Sequence, residues 1–301
     1  MGRGNDEFPF SVSCDTLRMD FWQFCQKGRL QECGCDQRAT WSPPPSILIT
    51  VSESQVYEAI GVGYSVGRRP EPRWHQEIDS VIGDARRVIN IGAGTGSYEP
   101  SDRAVIAVEP SELMVSQRPN TAAPVVMAVA ENVPIVSGWA DLTMTLLSLH
   151  HWTDWRTGVS EMRRLAPRRL VLTYDPEILS SFWLLRDYLA EVAASEQKRT
   201  PKIEDIADAL GGDVEVIVLE VPWDCVDGVL GAHWRRPAAY LDPQVRACCS
   251  GLAQADQRGV ERAVRELAVD LDTGAWHRRN RELVGMDSFD AGFRLVVSSE
   301  I

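Results

Sequence analysis

The stretch from Val88 to Pro110, VINIGAGTGSYEPSDRAVIAVEP, limits what this chain can fold into more than any other. An apolar run, Val88 to Ile91, is cut by the glycine turn Gly92-Ala93-Gly94-Thr95-Gly96. A second apolar run, Ala104 to Val108, ends at Glu109-Pro110. Short apolar runs bounded by turn residues read as buried strands, so the order is strand, glycine loop, short connection, strand, acid. Glycine at 92, 94 and 96 permits positive φ and leaves no Cβ between the main chain and a ligand. An acid at the tip of the second strand can accept hydrogen bonds from both hydroxyls of a ribose. The stretch therefore predicts a site for an adenosine-bearing small molecule at the carboxyl ends of parallel strands.

The spacing argues against a dinucleotide. That fingerprint is G-x-G-x-x-G, with a helix opening at the last glycines and the acid about 20 residues further on. Here the spacing is G-x-G-x-G and the acid comes sooner. The seven residues from Ser97 to Arg103, which include Pro100, separate the loop from the second strand. They make at most about two helical turns. The long helix whose N-terminus would hold a pyrophosphate is missing or cut short, and a ligand without phosphates fits better.

Asn90-Ile91-Gly92-Ala93-Gly94-Thr95-Gly96, followed by Val108-Glu109-Pro110-Ser111-Glu112-Leu113-Met114, resembles the first two motifs of the class I S-adenosylmethionine-dependent methyltransferases. The similarity is to the type 11, small-molecule branch that includes the ubiquinone and menaquinone methyltransferases. It implies a Rossmann-like, doubly wound, mostly parallel seven-stranded α/β sheet and S-adenosyl-L-methionine as cofactor. It implies that Asn90, Gly92, Ala93, Gly94, Glu109, Pro110 and Met114 line the cofactor site. Asn90 departs from the family's Asp or Glu: an amide hydrogen-bonds but brings no charge to the cofactor's amino group.

Further segments extend the resemblance. Ala130-Glu131-Asn132-Val133-Pro134 is similar to the family's A-E-x-L-P segment, which reads the adenine ring. Ser148-Leu149-His150-His151-Trp152 is similar to its histidine-histidine-aromatic segment. The likeness implies that Leu149 and His150 hold the cofactor and that His151 is a proton acceptor, a role suited to a side chain titrating near neutrality. Before the first strand, a tyrosine and an arginine of the family close over the methionine end of the cofactor. Tyr64 with Arg68 or Arg69 matches that position, and Arg69 is the choice here.

Composition removes other classes. A formal charge of −12 over 301 residues opposes a nucleic-acid backbone, which needs Lys and Arg to replace counterions. No stretch approaches the roughly 18 apolar residues of a membrane span, and the N-terminus lacks the apolar core of a secretory signal. Seven cysteines, an odd count without a regular framework, suit reduced thiols in a cytoplasm. Four of them, Cys14, Cys25, Cys33 and Cys35, fall in residues 1–50. Their only close pair is C-x-C rather than the C-x2–4-C of zinc ribbons, so no metal is expected and residues 1–50 read as a poorly ordered extension.

Residues 51–301 then form the domain. Helices are expected over Val51–Ile60, Trp74–Ile82, Ser111–Arg118, Asp154–Leu165, Phe182–Tyr188, Ile203–Leu210, Pro243 to about Ala255, and Val260–Leu271. Further strands are expected over Val125–Ala128, Asp141–Leu149, Arg169–Tyr174, Val214–Val221 and Phe293–Val297. The resemblance makes the last two strands an antiparallel hairpin, with the insertion between them building the acceptor pocket. Tyr174, Trp183, Trp223, Trp234 and Arg235 are the substrate candidates, and His233 joins His151 as a candidate base. The expected activity is methyl transfer to an O, N or C nucleophile of a small-molecule acceptor by a monomer or homodimer. A nicotinamide-dependent oxidoreductase and a non-catalytic cofactor-binding module are the alternatives.

Overall fold

The computed structural model describes residues 67–300. The expected N-terminal extension, the Val51–Ile60 helix and Tyr64 lie outside the described residues. Helix α1, Pro72–Ile82, opens behind Glu71, whose carboxylate accepts the Arg73 N–H (3.3 Å), and buries Trp74, Ile78 and Ile82 at four-residue spacing. Strands β1 (Arg87–Ile91) and β2 (Ala104–Val108) pair in parallel with Ile91 opposite Val108. Helix α2 (Glu112–Ser116), strand β3 (Val125–Val126), strand β4 (Leu142–Leu146), helix α3 (Trp155–Leu165) and strand β5 (Arg168–Tyr174) follow. Four helices come next: α4 (Pro176–Ser181), α5 (Trp183–Tyr188), α6 (Ala190–Arg199) and α7 (Ile203–Leu210). They lead to β6 (Asp213–Val218) and β7 (Val221–Pro222). A helical insertion carries α8 (Pro243–Cys248), α9 (Ser250–Gln254), α10 (Gln257–Asp272) and α11 (Ala275–Arg279). The chain returns through β8 (Ser288–Phe289) and β9 (Phe293–Ser299).

The seven-stranded sheet runs β3-β2-β1-β4-β5-β9-β6. All its pairings are parallel except those of β9, which lies antiparallel between β5 and β6. Successive strand residues point to opposite faces, and the two cores follow that rule. Val88, Leu170, Leu172 and Leu295 face a core shared with Trp74, Trp183, Trp234 and Trp276. Ile89, Val171 and Val296 face one shared with Val159, Met162, Ile206 and Leu210 of α3 and α7. The chain reverses direction across the sheet between β1 and β4. Open α/β sheets leave a crevice for ligands at such a point, beyond the carboxyl ends of the strands.

No helix joins β1 to β2; residues 92–103 form turns. A buried carboxylate ties that crossover down. Glu99 pairs with Arg118 (2.6 Å), both side chains about 5% exposed, and accepts the Asn90 Nδ2 (3.0 Å) and the Ala123 N–H (3.3 Å). Arg118 also donates to the Gly94 carbonyl (2.9 Å), so α2's C-terminal end grips the glycine loop.

Three expected elements change. The strand expected to end at Leu149 stops at Leu146, because Leu147 turns to φ +55° and a 3-10 turn, Leu149–His151, begins. The strand expected over Val214–Val221 divides. Beyond β6 the chain leaves the sheet, and β7 pairs with β8 as a separate two-stranded ladder, where Pro222, lacking an N–H, sits at the ladder's end. The helix expected from Pro243 breaks at Cys249 (φ −91°, ψ 102°).

Removing one partner of a buried ion pair leaves the other charge unpaired and costs about 3–5 kcal/mol. Arg118→Ala is expected to lower the urea midpoint by that free energy with an unchanged m-value. An Arg118→Met/Glu99→Gln double variant should lose much less. Equilibrium urea unfolding of both measures it.

Candidate functional site

The carboxyl ends of β1, β2 and β4 enclose a cleft. Gly92 and Ala93 donate their N–H groups to the Val108 carbonyl (2.9 and 3.1 Å), which draws the loop against β2. Gly92 has φ +68°, and a Cβ there would lie 1.9 Å from the Ser148 Oγ. Only glycine allows this approach of β1's tip to the loop after β4. Gly94 (φ +51°) turns its N–H onto Glu109 (2.8 Å), whose other oxygen accepts the Ser111 N–H (2.9 Å). Ser111 caps α2 by accepting the Met114 N–H (3.3 Å), and Met114 lies buried against the loop. Glu109 is 6% exposed. Burial raises its pKa, and the Ser111 and Gly94 N–H groups act against that rise. Each of its oxygens keeps acceptor capacity beyond the backbone bond it already makes.

Asn90, next to last in β1, lines the cleft and is 1% exposed. Its Nδ2 is committed to Glu99, which fixes the amide's orientation. Its Oδ1 is buried without a partner among the described residues. A buried acceptor of this kind marks a place for a ligand donor or a water. An aspartate at 90 would meet the Glu99 carboxylate at hydrogen-bonding distance, and like charges so close disfavour ionisation of one. The amide is therefore the residue compatible with Glu99.

The cleft gathers Asn90, Gly92, Ala93, Gly94, Glu109 and Pro110 from the expected cofactor set, with Met114 beside them. His151 lines it too. Arg68 lines the cleft, whereas Arg69 is exposed beyond it. Arg68 turns inward because its guanidinium pairs with Asp227 (2.5 Å), a carboxylate 1% exposed. Tyr98, buried at φ +62°, donates to the same Asp227 (2.8 Å) and accepts the Glu71 N–H (2.9 Å). Tyr98 and Leu147 are cleft residues that pattern reading did not single out, and Ser148 and Trp152 of the histidine-histidine-aromatic segment line the cleft as well. Glu99, Tyr98 and Asp227 read in sequence as ordinary loop residues, and only their long-range partners mark them.

Other expected cofactor residues serve the scaffold. Ala130 and Leu149 are buried in the core on the α3 face. Glu131 accepts the Asp154 N–H (2.9 Å) ahead of α3, and Asn132 is exposed. None of the four lines the cleft.

A second cavity adjoins the first, and Arg68 and Leu147 line both. His150 faces this cavity while its neighbour His151 faces the cleft; their rings lie 4.0 Å apart. Tyr174, at the end of β5 and a substrate candidate, lines the second cavity. Its hydroxyl donates to Glu196 and accepts from Thr200 (2.9 Å). Arg199 grips Glu196 through Nε (2.9 Å) and a terminal nitrogen (2.5 Å). In sequence Glu196 and Arg199 look like an i,i+3 pair on a solvated helix face; packing of α6 against α4 turns them inward.

The remaining substrate candidates lie elsewhere. Trp183 is 1% exposed, donates Nε1–H to the Trp234 carbonyl (2.8 Å), and meets Trp276 edge-on at 5.2 Å. Trp234 is fully buried and donates to the Val221 carbonyl (2.9 Å). These indoles are the core of the insertion. Trp223 is 44% exposed under the Arg235 guanidinium (5.2 Å), and Arg235 donates to the Met286 carbonyl. His233 packs edge-on against Tyr240 (5.6 Å) and lines neither cavity.

Burial, with the charge of Arg199, holds His151 down to about 3. Burial also holds His150 well below the usual imidazole value, with His151, Arg199 and Arg68 adding to it. Both rings are neutral at physiological pH.

Comparison with known proteins follows this geometry. Residues 89–168 match the family described as a methyltransferase domain. A solved structure from Anabaena variabilis ATCC 29413, named as a candidate methyltransferase of an antibiotic biosynthesis pathway, is similar to this chain. It is 28% identical, with a TM-score of 0.72, over 77% of this chain and 99% of that one. A Thermotoga maritima structure, named as an S-adenosylmethionine-dependent methyltransferase and a candidate histamine N-methyltransferase, is 20% identical. Its TM-score is 0.41, over 56% of this chain and 79% of that one. No curated protein matches the chain.

The unfolded chain takes up protons on histidine near pH 6.5, while His150 and His151 in the folded chain do not. Stability is therefore expected to fall as pH drops below about 6.5, by about 1.4 kcal/mol per pH unit for each such histidine. Urea midpoints between pH 7.5 and 5 test this, and a His150→Gln/His151→Gln variant should show a flatter dependence.

Proposed function

We propose that this chain, which carries a methyltransferase domain, acts as a class I S-adenosylmethionine-dependent methyltransferase on a small molecule held in the cavity beside the cleft. The observation that carries this reading is the shared wall: Arg68 and Leu147 line both spaces, so their contents meet at the carboxyl end of β4. The cleft's residues fit the cofactor. Gly92 and Gly94 line the cleft with main chain alone, Glu109 offers acceptors for a ribose, and the Asn90 Oδ1 is a buried acceptor without a partner among the described residues. When bound, S-adenosylmethionine supplies a sulfonium methyl group, an electrophile.

The chain's own part is positioning and exclusion of water. Holding two reactants in near-attack geometry supplies several kcal/mol of the barrier. The Glu99–Arg118 pair and the Tyr98–Asp227–Arg68 cluster keep the cleft's loops in place. The absence of a helix after the glycine loop speaks against the nicotinamide alternative, since no long helix N-terminus faces a pyrophosphate. The Anabaena relative's name supports a natural product as acceptor. A reducing, cytoplasmic setting is part of the proposal, supported by Cys225, Cys248 and Cys249 being free thiols. Among the described residues no helix is long and apolar enough to cross a membrane.

Calorimetric titration should show binding of S-adenosylmethionine and its demethylated product, S-adenosylhomocysteine, and none of NAD. Glu109→Ala removes a charged acceptor worth about 1.5–3 kcal/mol per hydrogen bond, so affinity should fall at least roughly tenfold. Preference for NAD would overturn the reading.

A further inference from the structure

The second cavity's chemistry narrows the acceptor, on the premise of the proposed function. Its charges are cancelled from within. Glu196 is held by Arg199 and by the Tyr174 hydroxyl, and Arg199 also donates to Gln254 (3.0 Å). Arg68, at the boundary, is paired with buried Asp227. A charged acceptor entering here would lose its hydration without gaining a counter-charge, and that cost is large. The rest of the wall carries no charge: Leu179, Val229, Leu230 and Phe293 stand beside Cys249 and Ser250. Phe293 stands edge-on to Tyr174 (6.4 Å, 76°), and the His150 ring lies 5.1 Å from Tyr174. Three rings at these spacings suit a planar guest.

One polar group in this wall lacks a partner. The Nδ1 of His150 is buried and makes no hydrogen bond among the described residues. Leu147, three residues before it, holds φ +55° at the wall common to both spaces. Strained backbone at a non-glycine residue persists where surrounding structure enforces it, and such positions cluster at functional sites.

We infer that the acceptor is an uncharged planar molecule bearing an acidic hydroxyl, a phenol or an enol, and that His150 receives the hydroxyl proton. The acceptor's O–H bond breaks as its oxygen forms a bond to the methyl carbon. The S–CH3 bond breaks with its electron pair kept by sulfur, and the proton passes to His150 and then to solvent. The groups facing His150 are His151 from its own turn, Tyr174 from β5, Glu196 and Arg199 from α6, and Arg68. An imidazole in this setting is a weak base. It suits a hydroxyl with a pKa near that of tyrosine, about 10, rather than an aliphatic alcohol.

The test uses three phenols of similar size, neutral 4-ethylphenol, cationic tyramine and anionic 3-(4-hydroxyphenyl)propanoate. Each is titrated into the full chain saturated with S-adenosylhomocysteine. The inference expects 4-ethylphenol to bind at least about tenfold more tightly than either charged probe. His150→Phe should weaken it about tenfold, and Ser250→Trp, which fills the cavity, should abolish it. Thermal unfolding and retained S-adenosylhomocysteine affinity check that both variants fold. Equal affinity for the three probes, preference for a charged one, absence of binding by all three, or indifference to the His150 substitution would overturn the inference with the cofactor reading intact. Failure of S-adenosylhomocysteine itself to bind would instead strike the proposed function.

Discussion

The Glu99–Arg118 ion pair is the constraint on which the cofactor cleft depends. The connection from β1 to β2 is too short for a helix, so nothing regular holds the glycine loop against the sheet. A buried carboxylate does this instead. It binds the side chain next to last in β1, the backbone at Ala123 and the guanidinium that grips the Gly94 carbonyl. Breaking one bond in such a network exposes the others to an unpaired charge in a poorly solvated setting. The loop's shape is thus set by side chains remote in sequence.

The same carboxylate accounts for the amide at Asn90. The resembled family places an acid there, and this chain places an acid nine residues later, against the Asn90 amide. Two carboxylates in contact would need one of them protonated. Asn90 resolves that conflict by donating to Glu99 and leaving a carbonyl oxygen for the cleft. A second remote cluster, Tyr98, Asp227 and Arg68, ties the glycine loop to the insertion and to the segment that enters the fold. Two separate buried clusters of charge therefore frame the cleft, and the second reaches the cavity through Arg68.

The paired histidines show how a local turn divides side chains between two spaces. The 3-10 turn Leu149–His151 follows directly on the left-handed Leu147. Consecutive side chains diverge there, so His151 meets the cleft and His150 the cavity. Spacing within a motif says nothing of the direction of each side chain in an irregular turn, so only the fold sets which ring meets which space.

Local features of the chain determined much by themselves. The apolar runs at β1, β2, β4 and β5, the glycine loop, the N-capped helices α2 and α3 and the glycine stop of α7 were legible because each rests on nearest-neighbour chemistry: periodicity, positive φ and capping. The missing first helix was legible from chain length and Pro100. Tertiary structure alone decided the rest. Trp183 and Trp234 pack inside the insertion, since large apolar rings gain most by burial in a core that sequence cannot locate. Glu196 and Arg199, a pair at ordinary surface spacing, face inward because α6 packs against α4 and carries them to Tyr174. Arg68 rather than Arg69 enters the cleft because the partner that selects it, Asp227, lies 159 residues away. Pattern reading works where a property belongs to neighbouring residues, and fails where a charge or ring takes its meaning from a partner that only folding brings near.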